Sequence, residues 1–134
     1  MPNTQAIGVA YSDPEFTTCY VSQEFGYAAS AQGAVTQLTD KGTAVTLNKS
    51  AGRITMNNAA LAGNTAVSFT LNNNTVSASD TIVVCISGGA TAGAYTTYIS
   101  SLATGTALVT LRNLTSGSLS EAVILNYSII HGAS

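Results

Sequence analysis

Charge is what this chain has least of. Among its 134 residues only four are Lys or Arg and six are Asp or Glu, for a net charge of -2. That is 7% charged residues, where an ordinary soluble domain carries about 25%. A chain so poor in cations has no electrostatic footprint for a nucleic-acid backbone, so nucleic acid is not an expected partner. Trp is absent and His occurs once, as His131. With no Trp to stack a sugar ring, and no visible pairing among the six acids, a glycan hydrolase has little to build on. One His and two distant Cys give no zinc-ligand spacing. Asp13 and Glu15, in SDPEF, lack the glycine and ligand density of a calcium loop. No Gly-x-Ser-x-Gly elbow offers His131 a nucleophile. The glycine-rich SGGATAGAY (87–95) lacks the lysine and following helix of a phosphate loop, and it reads as a wide turn between strands. No catalytic residue, cofactor or metal site is expected, and the chain does not read as an enzyme.

Other absences bound its location. No apolar run reaches the roughly 18 residues of a membrane helix, so no membrane partner is expected. The opening MPNTQAIGVAYSDPEF has neither the charged nor the apolar region of a secretion signal, which implies a protein that starts in the cytoplasm where it is made. Two cysteines, Cys19 and Cys85, do not make a disulfide framework. Cys85, inside TIVVCIS, reads as a small buried hydrophobe; a bridge to Cys19 is left open.

What is present is β-branched and apolar. Hydrophobic residues make up 46% of the chain, which argues for a packed core and against disorder. After Gly33 short apolar segments recur: 34–38, 43–48, 52–57, 65–71, 81–87, 94–100, 106–114 and 119–130. Turn signals separate them, among them Asp40-Lys41-Gly42, Asn72-Asn73-Asn74, Gly88-Gly89 and Thr104-Gly105. Eight short strands at this spacing predict an all-β domain over residues 34–134, an eight-stranded β-sandwich of jelly-roll type. TIVVCIS, apolar on both faces, is expected to be a central strand. NNAALAGN (57–64) is too short for a stable helix and reads as a turn or loop.

The strongest strand signal is Leu119–Ile130, whose odd positions are apolar except for Glu121. A hairpin closed over residues 115–118 would set Glu121 against Arg112, a structural ion pair that fixes register. Arg53, the other outlier within a strand, is read in the same way. Residues 1–33 read as an N-terminal arm. They hold both prolines and the aromatics Tyr11, Phe16, Tyr20, Phe25 and Tyr27. Aromatics on an arm that extends from a charge-poor domain mark an interface, or else they complete the domain's own core. A surface that omits the charges by which monomers stay apart predicts a homo-oligomer or a larger assembly.

The segments GAVTQLTDKGTAVTLNKSAGRITMNNAALAGNTAVSFTL, SASDTIVVCISGGATAGAY and RNLTSGSLSEAVILNYSIIHG together resemble a family of small tailed-bacteriophage virion proteins. The resemblance covers residues 33–132, and IGVAYSDPEF is similar to arms that precede such domains. It implies a virion protein. The role it favours is capsid decoration (cement) on the outer head surface, as a homotrimer, with the major capsid protein and copies of itself as partners. The alternative it implies is a fibre or tail-tip protein that recognises a host-surface glycan through loops such as the Tyr95–Tyr98 region. The family has no catalytic residues to carry over.

Overall fold

The computed structural model describes residues 15–132. Eight strands follow one another: β1 (Gln32–Thr36), β2 (Val45–Thr46), β3 (Ala51–Thr55), β4 (Ala66–Asn72), β5 (Thr81–Gly88), β6 (Tyr95–Ala103), β7 (Thr106–Asn113) and β8 (Ile124–Ile130). Among the described residues the only helical piece is a 3-10 turn at Ala29–Ala31. None forms a helix long and apolar enough to cross a membrane.

The strands divide into two four-stranded mixed sheets, with orders β1-β3-β8-β5 and β2-β4-β7-β6. β1 runs parallel to β3 and β2 parallel to β4; the other pairs are antiparallel. Period-two alternation puts one face of each sheet out of water. In β8 Leu125, Tyr127 and Ile129 are buried; in β4 Phe69 and Leu71; in β7 Ala107, Val109 and Leu111. Side chains from both sheets join one hydrophobic cluster, which also takes in Ile54 and Val45. Burying a side chain of this size contributes about 1.5–3 kcal/mol.

The opposite faces carry few charges, Arg53 and Arg112 among them, and hydroxyls do much of the pairing there. On the second sheet, the Thr110 hydroxyl shares hydrogen bonds with Ser68 (2.7 Å) and with Ser100, and Thr97 donates to the Thr110 carbonyl (3.0 Å). Such cross-strand hydroxyl pairs stabilise a sheet modestly, by roughly 0.2–1 kcal/mol each. They explain how strands rich in Thr and Ser hold together with so few ions.

Two buried asparagines close strand ends. Asn113, the last residue of β7, donates to the carbonyls of Leu61 and Gly117 (both 2.9 Å). It accepts from the amide and hydroxyl of Thr115 (2.9 and 2.8 Å). Asn73, just after β4, donates to Lys49 O (2.7 Å) and accepts from the amide and hydroxyl of Thr75 (3.0 and 2.7 Å). The same Asn-x-Thr order recurs because an Asn side chain mimics a backbone turn while Thr returns two donors.

Several expectations are corrected. TIVVCIS is not a doubly covered central strand, because β5 is the edge of its sheet, and Thr81, Val83, Cys85 and Ser87 are exposed on its open face. Cys85 is thus an exposed free thiol, as is Cys19. No hairpin closes over residues 115–118, since β7 and β8 belong to different sheets and the chain between them crosses from one to the other. The last strand begins at Ile124, not Leu119; Leu119 makes only an isolated bridge to Leu61. Segment 43–48 shrinks to the two residues of β2. Segment 57–64 is extended loop, as expected. The first strand starts at Gln32, so the arm ends two residues earlier than Gly33 marked it.

Candidate functional site

Few acids and bases meet among the described residues. His131 Nδ1 lies 3.1 Å from Asp80 Oδ2, the one ion-pair geometry among the described residues. Asp80 also accepts from the Ser77 amide (2.8 Å), the Ser77 hydroxyl (3.0 Å) and the Gly132 amide (3.0 Å). The Ser77 amide above all holds this carboxyl below its usual range. The group ties the end of β8 to the turn that leads into β5. Its one hydroxyl, Ser77, donates to Asp80, and His131 also bonds Asp80, so the group is joined through the carboxylate and not through a Ser–His contact. Among the described residues no three His, Cys, Asp or Glu side chains come together in a metal-holding group.

Glu121 does not pair with Arg112. Arg112 is exposed on β7, in register with Ala66 and Thr96. The Glu121 carboxylate instead accepts the Thr91 hydroxyl (2.7 Å) and the Thr91 amide (3.0 and 3.1 Å). These bonds lower its pKa, the Thr91 hydroxyl foremost, with smaller help from Tyr95 and Lys41. Gly89 makes the approach feasible. At φ +66° it adopts a backbone that L side chains avoid, and a Cβ there would stand 2.1 Å from the Ala122 carbonyl oxygen. The Tyr95 hydroxyl is buried near this carboxylate without a hydrogen bond of its own. Burial first, and then the nearby Glu121 carboxylate, push its pKa up to about 12.

The cation that serves this corner is Lys41, from the Asp40-Lys41-Gly42 turn. Its side chain is buried, and Nζ donates to the backbone carbonyls of Asn57 and Glu121. Burial lowers its pKa, and the Glu121 charge partly restores it. Gln37 braces the turn by donating to Lys41 O (3.0 Å) and Thr43 O (2.9 Å). Sequence reasoning missed Lys41 because a Lys inside an Asp-Lys-Gly turn reads as solvated. Arg53 likewise meets no acid among the described residues; its Nε donates to Asn126 at 3.5 Å.

The arm is the part of the molecule with unspent surface. Residues 15–26 are all exposed and outside any strand. Phe16, Tyr20 and Phe25 are 69%, 95% and 89% exposed, so they do not complete the domain's own core. Tyr11 lies outside the described residues. Tyr27 alone is anchored: half-buried, it donates its hydroxyl to the Ile129 carbonyl of β8. Gln32, Ala51, Ser128 and Val83 form one row across β1, β3, β8 and β5. The chain thus leaves β1 near this row and meets β8 at Tyr27. It reaches the β5 side at Phe25, where Phe25, Val83 and Ile130 line one groove. The arm crosses the open face of the first sheet and emerges at the β5 edge. Val83 and Ile130, 54% and 60% exposed, make that rim apolar.

No protein-family model, curated protein or solved structure matches this chain.

Proposed function

We propose that the chain is a bacteriophage structural protein that decorates the outer head surface as a homotrimer and stabilises the capsid. The observation that carries this reading is the arm. Three aromatic side chains stand exposed on an extended segment that leaves its own domain, and none of the other described residues buries them. Aromatic side chains of this kind are the usual anchors of protein interfaces. The resemblance of residues 33–132 to small virion proteins supplies the setting. The surface of Ser, Thr and Asn, almost without charge, suits a protein that spends its life against partners. In this reading the role is mechanical. An interface of roughly 800 Å² per partner, against the major capsid protein and against copies of itself, holds neighbouring subunits together. The location is then the virion, after synthesis in the host cytoplasm.

We also take the two sheets as the layers of a β-sandwich, since both contribute to one buried cluster. Its relation to a jelly roll is loose, because the parallel pairs β1–β3 and β2–β4 depart from antiparallel Greek keys.

The fibre or tail-tip reading, with a host-surface glycan as ligand, has less to rest on. Tyr95 is buried, which leaves Tyr98 as the exposed aromatic of that region. Copy number separates the two: decoration predicts hundreds of copies per particle, an appendage a few dozen at most. Particles stripped of the protein should burst at lower temperature and in dilute salt. Equal resistance with and without it would sink the decoration role.

A further inference from the structure

Sheets end at edges, and an unguarded edge invites a strand. Of the four edges here, three are closed off in recognisable ways. β2 has only two residues, and β6 is interrupted by a register shift between Ile99 and Ser101. β1 has five residues and is flanked by Leu47 and Lys49, whose side chains crowd Gly33 and whose Nζ, on Lys49, donates to Ser30 O (2.8 Å). The fourth, β5, is different. It has eight residues with no charge and no proline, and its register shift lies at the far end, between Ile86 and Gly88. Thr81–Ile86 therefore presents roughly 20 Å of regular backbone that has no partner strand on its outer side among the described residues. Proteins normally blunt such an edge with Lys, Pro or an early bulge.

The arm supplies the complementary half. Phe16–Val21, FTTCYV, contains no charge, proline or glycine, and five of its six residues are strand formers. Residues 15–26 make no backbone–backbone hydrogen bond with other described residues, so their donors and acceptors, like those on the side of β5 turned away from β8, lack a backbone partner there. The arm emerges beside its own β5, yet it passes over the sheet's open face and does not lie along that edge. From Glu24 back to Phe16 an extended chain spans about 30 Å, which is about the width of a domain of this size.

We propose that Phe16–Val21 of one copy adds as a strand to the β5 edge of a second copy. The backbone bonds would give affinity, and the alternating arm side chains would cover Val83 and the half-buried Val84 and Ile86. Because arm and edge are different surfaces, the contact is head-to-tail and closes into a ring when the rotation permits. This goes beyond the capsid role, since it names the receiving strand. It requires no particle, so it fails or survives separately from that role.

The chain carries its own probes, because its two cysteines lie one in the arm and one in β5. Full-length Cys19→Ser and Cys85→Ser copies are mixed and treated with a bis-maleimide that spans on the order of 10 Å. Strand addition predicts a cross-linked dimer in the mixture at ten-fold or more the yield of either variant alone. A further Val83→Lys change in the Cys19→Ser copy, on an exposed position, should remove most of that yield while the circular dichroism stays unchanged. A mixture that links no better than its components overturns the proposal, as does a link formed only within single wild-type chains. A yield indifferent to Val83→Lys overturns the assignment to β5.

Discussion

The domain and its arm are built from the same kinds of residue and meet opposite fates. Phe69 and Tyr127, in the domain, are 1% and 4% exposed; Tyr20 and Phe25, in the arm, are 95% and 89%. Charge does not distinguish them, since both regions are poor in it. What differs is whether the backbone is paired. In the domain, ladders and the side chains of Asn73, Asn113, Gln37 and Lys41 satisfy buried polar groups, the Tyr95 hydroxyl excepted, so aromatics enter at little polar penalty. In residues 15–26 no described group pairs the backbone, and the aromatics stay out until another surface supplies the partners. An apolar side chain is buried only where the peptide groups beside it can also be satisfied.

The contrast can be broken from the domain side first. Phe69→Ala should destabilise by about 3–5 kcal/mol, the usual loss for a large core aromatic, read as a shifted denaturation midpoint at constant slope. Asn113→Ala removes four hydrogen bonds and leaves the Thr115 amide without its acceptor, while the Leu61 and Gly117 carbonyls keep a donor each in the Leu119 amide and the Thr115 hydroxyl. About 2 kcal/mol should be lost. An unchanged midpoint there would mean that water replaces the amide.

A weaker effect is set by pH. Burial raises Tyr127 and Tyr95 to about 12, above the ordinary value of 10. Both phenols are neutral in the fold, so their contribution is complete below pH 10 and fades as pH climbs towards 12. Stability should fall across that window in wild type and less steeply in Tyr127→Phe. Tyr95→Phe should be neutral or slightly stabilising at pH 7, because the hydroxyl it removes has no hydrogen-bond partner.

Local pattern carried much of this fold into the sequence. Period-two alternation in 123–129 marks the buried row Val123, Leu125, Tyr127 and Ile129, and Gly105 turns the chain between β6 and β7 where Thr104-Gly105 predicted. What alternation does not carry is which strand lies beside which. TIVVCIS is apolar on both faces, as a central strand would be, yet it stands at an edge; if the inference above holds, that composition is explained by a strand from another copy. Glu121 was legible as an anomaly, but its partners, Thr91 and Lys41, come from loops whose approach depends on Gly89 and on the crossing between sheets. The Asn-x-Thr order at 73–75 and 113–115 was in plain view and reads as loop composition until the buried carbonyls are known. In the arm, the aromatic cluster was legible and its exposure was not.

The smallest predicted effect is also the most direct test of the contrast. In Phe16→Ser/Tyr20→Ser/Phe25→Ser, denatured at a concentration low enough to keep copies apart, the unfolding free energy should match wild type within about 0.5 kcal/mol. A loss above about 2 kcal/mol, as burial of these rings in their own domain would produce, would contradict the account of an arm that works outward.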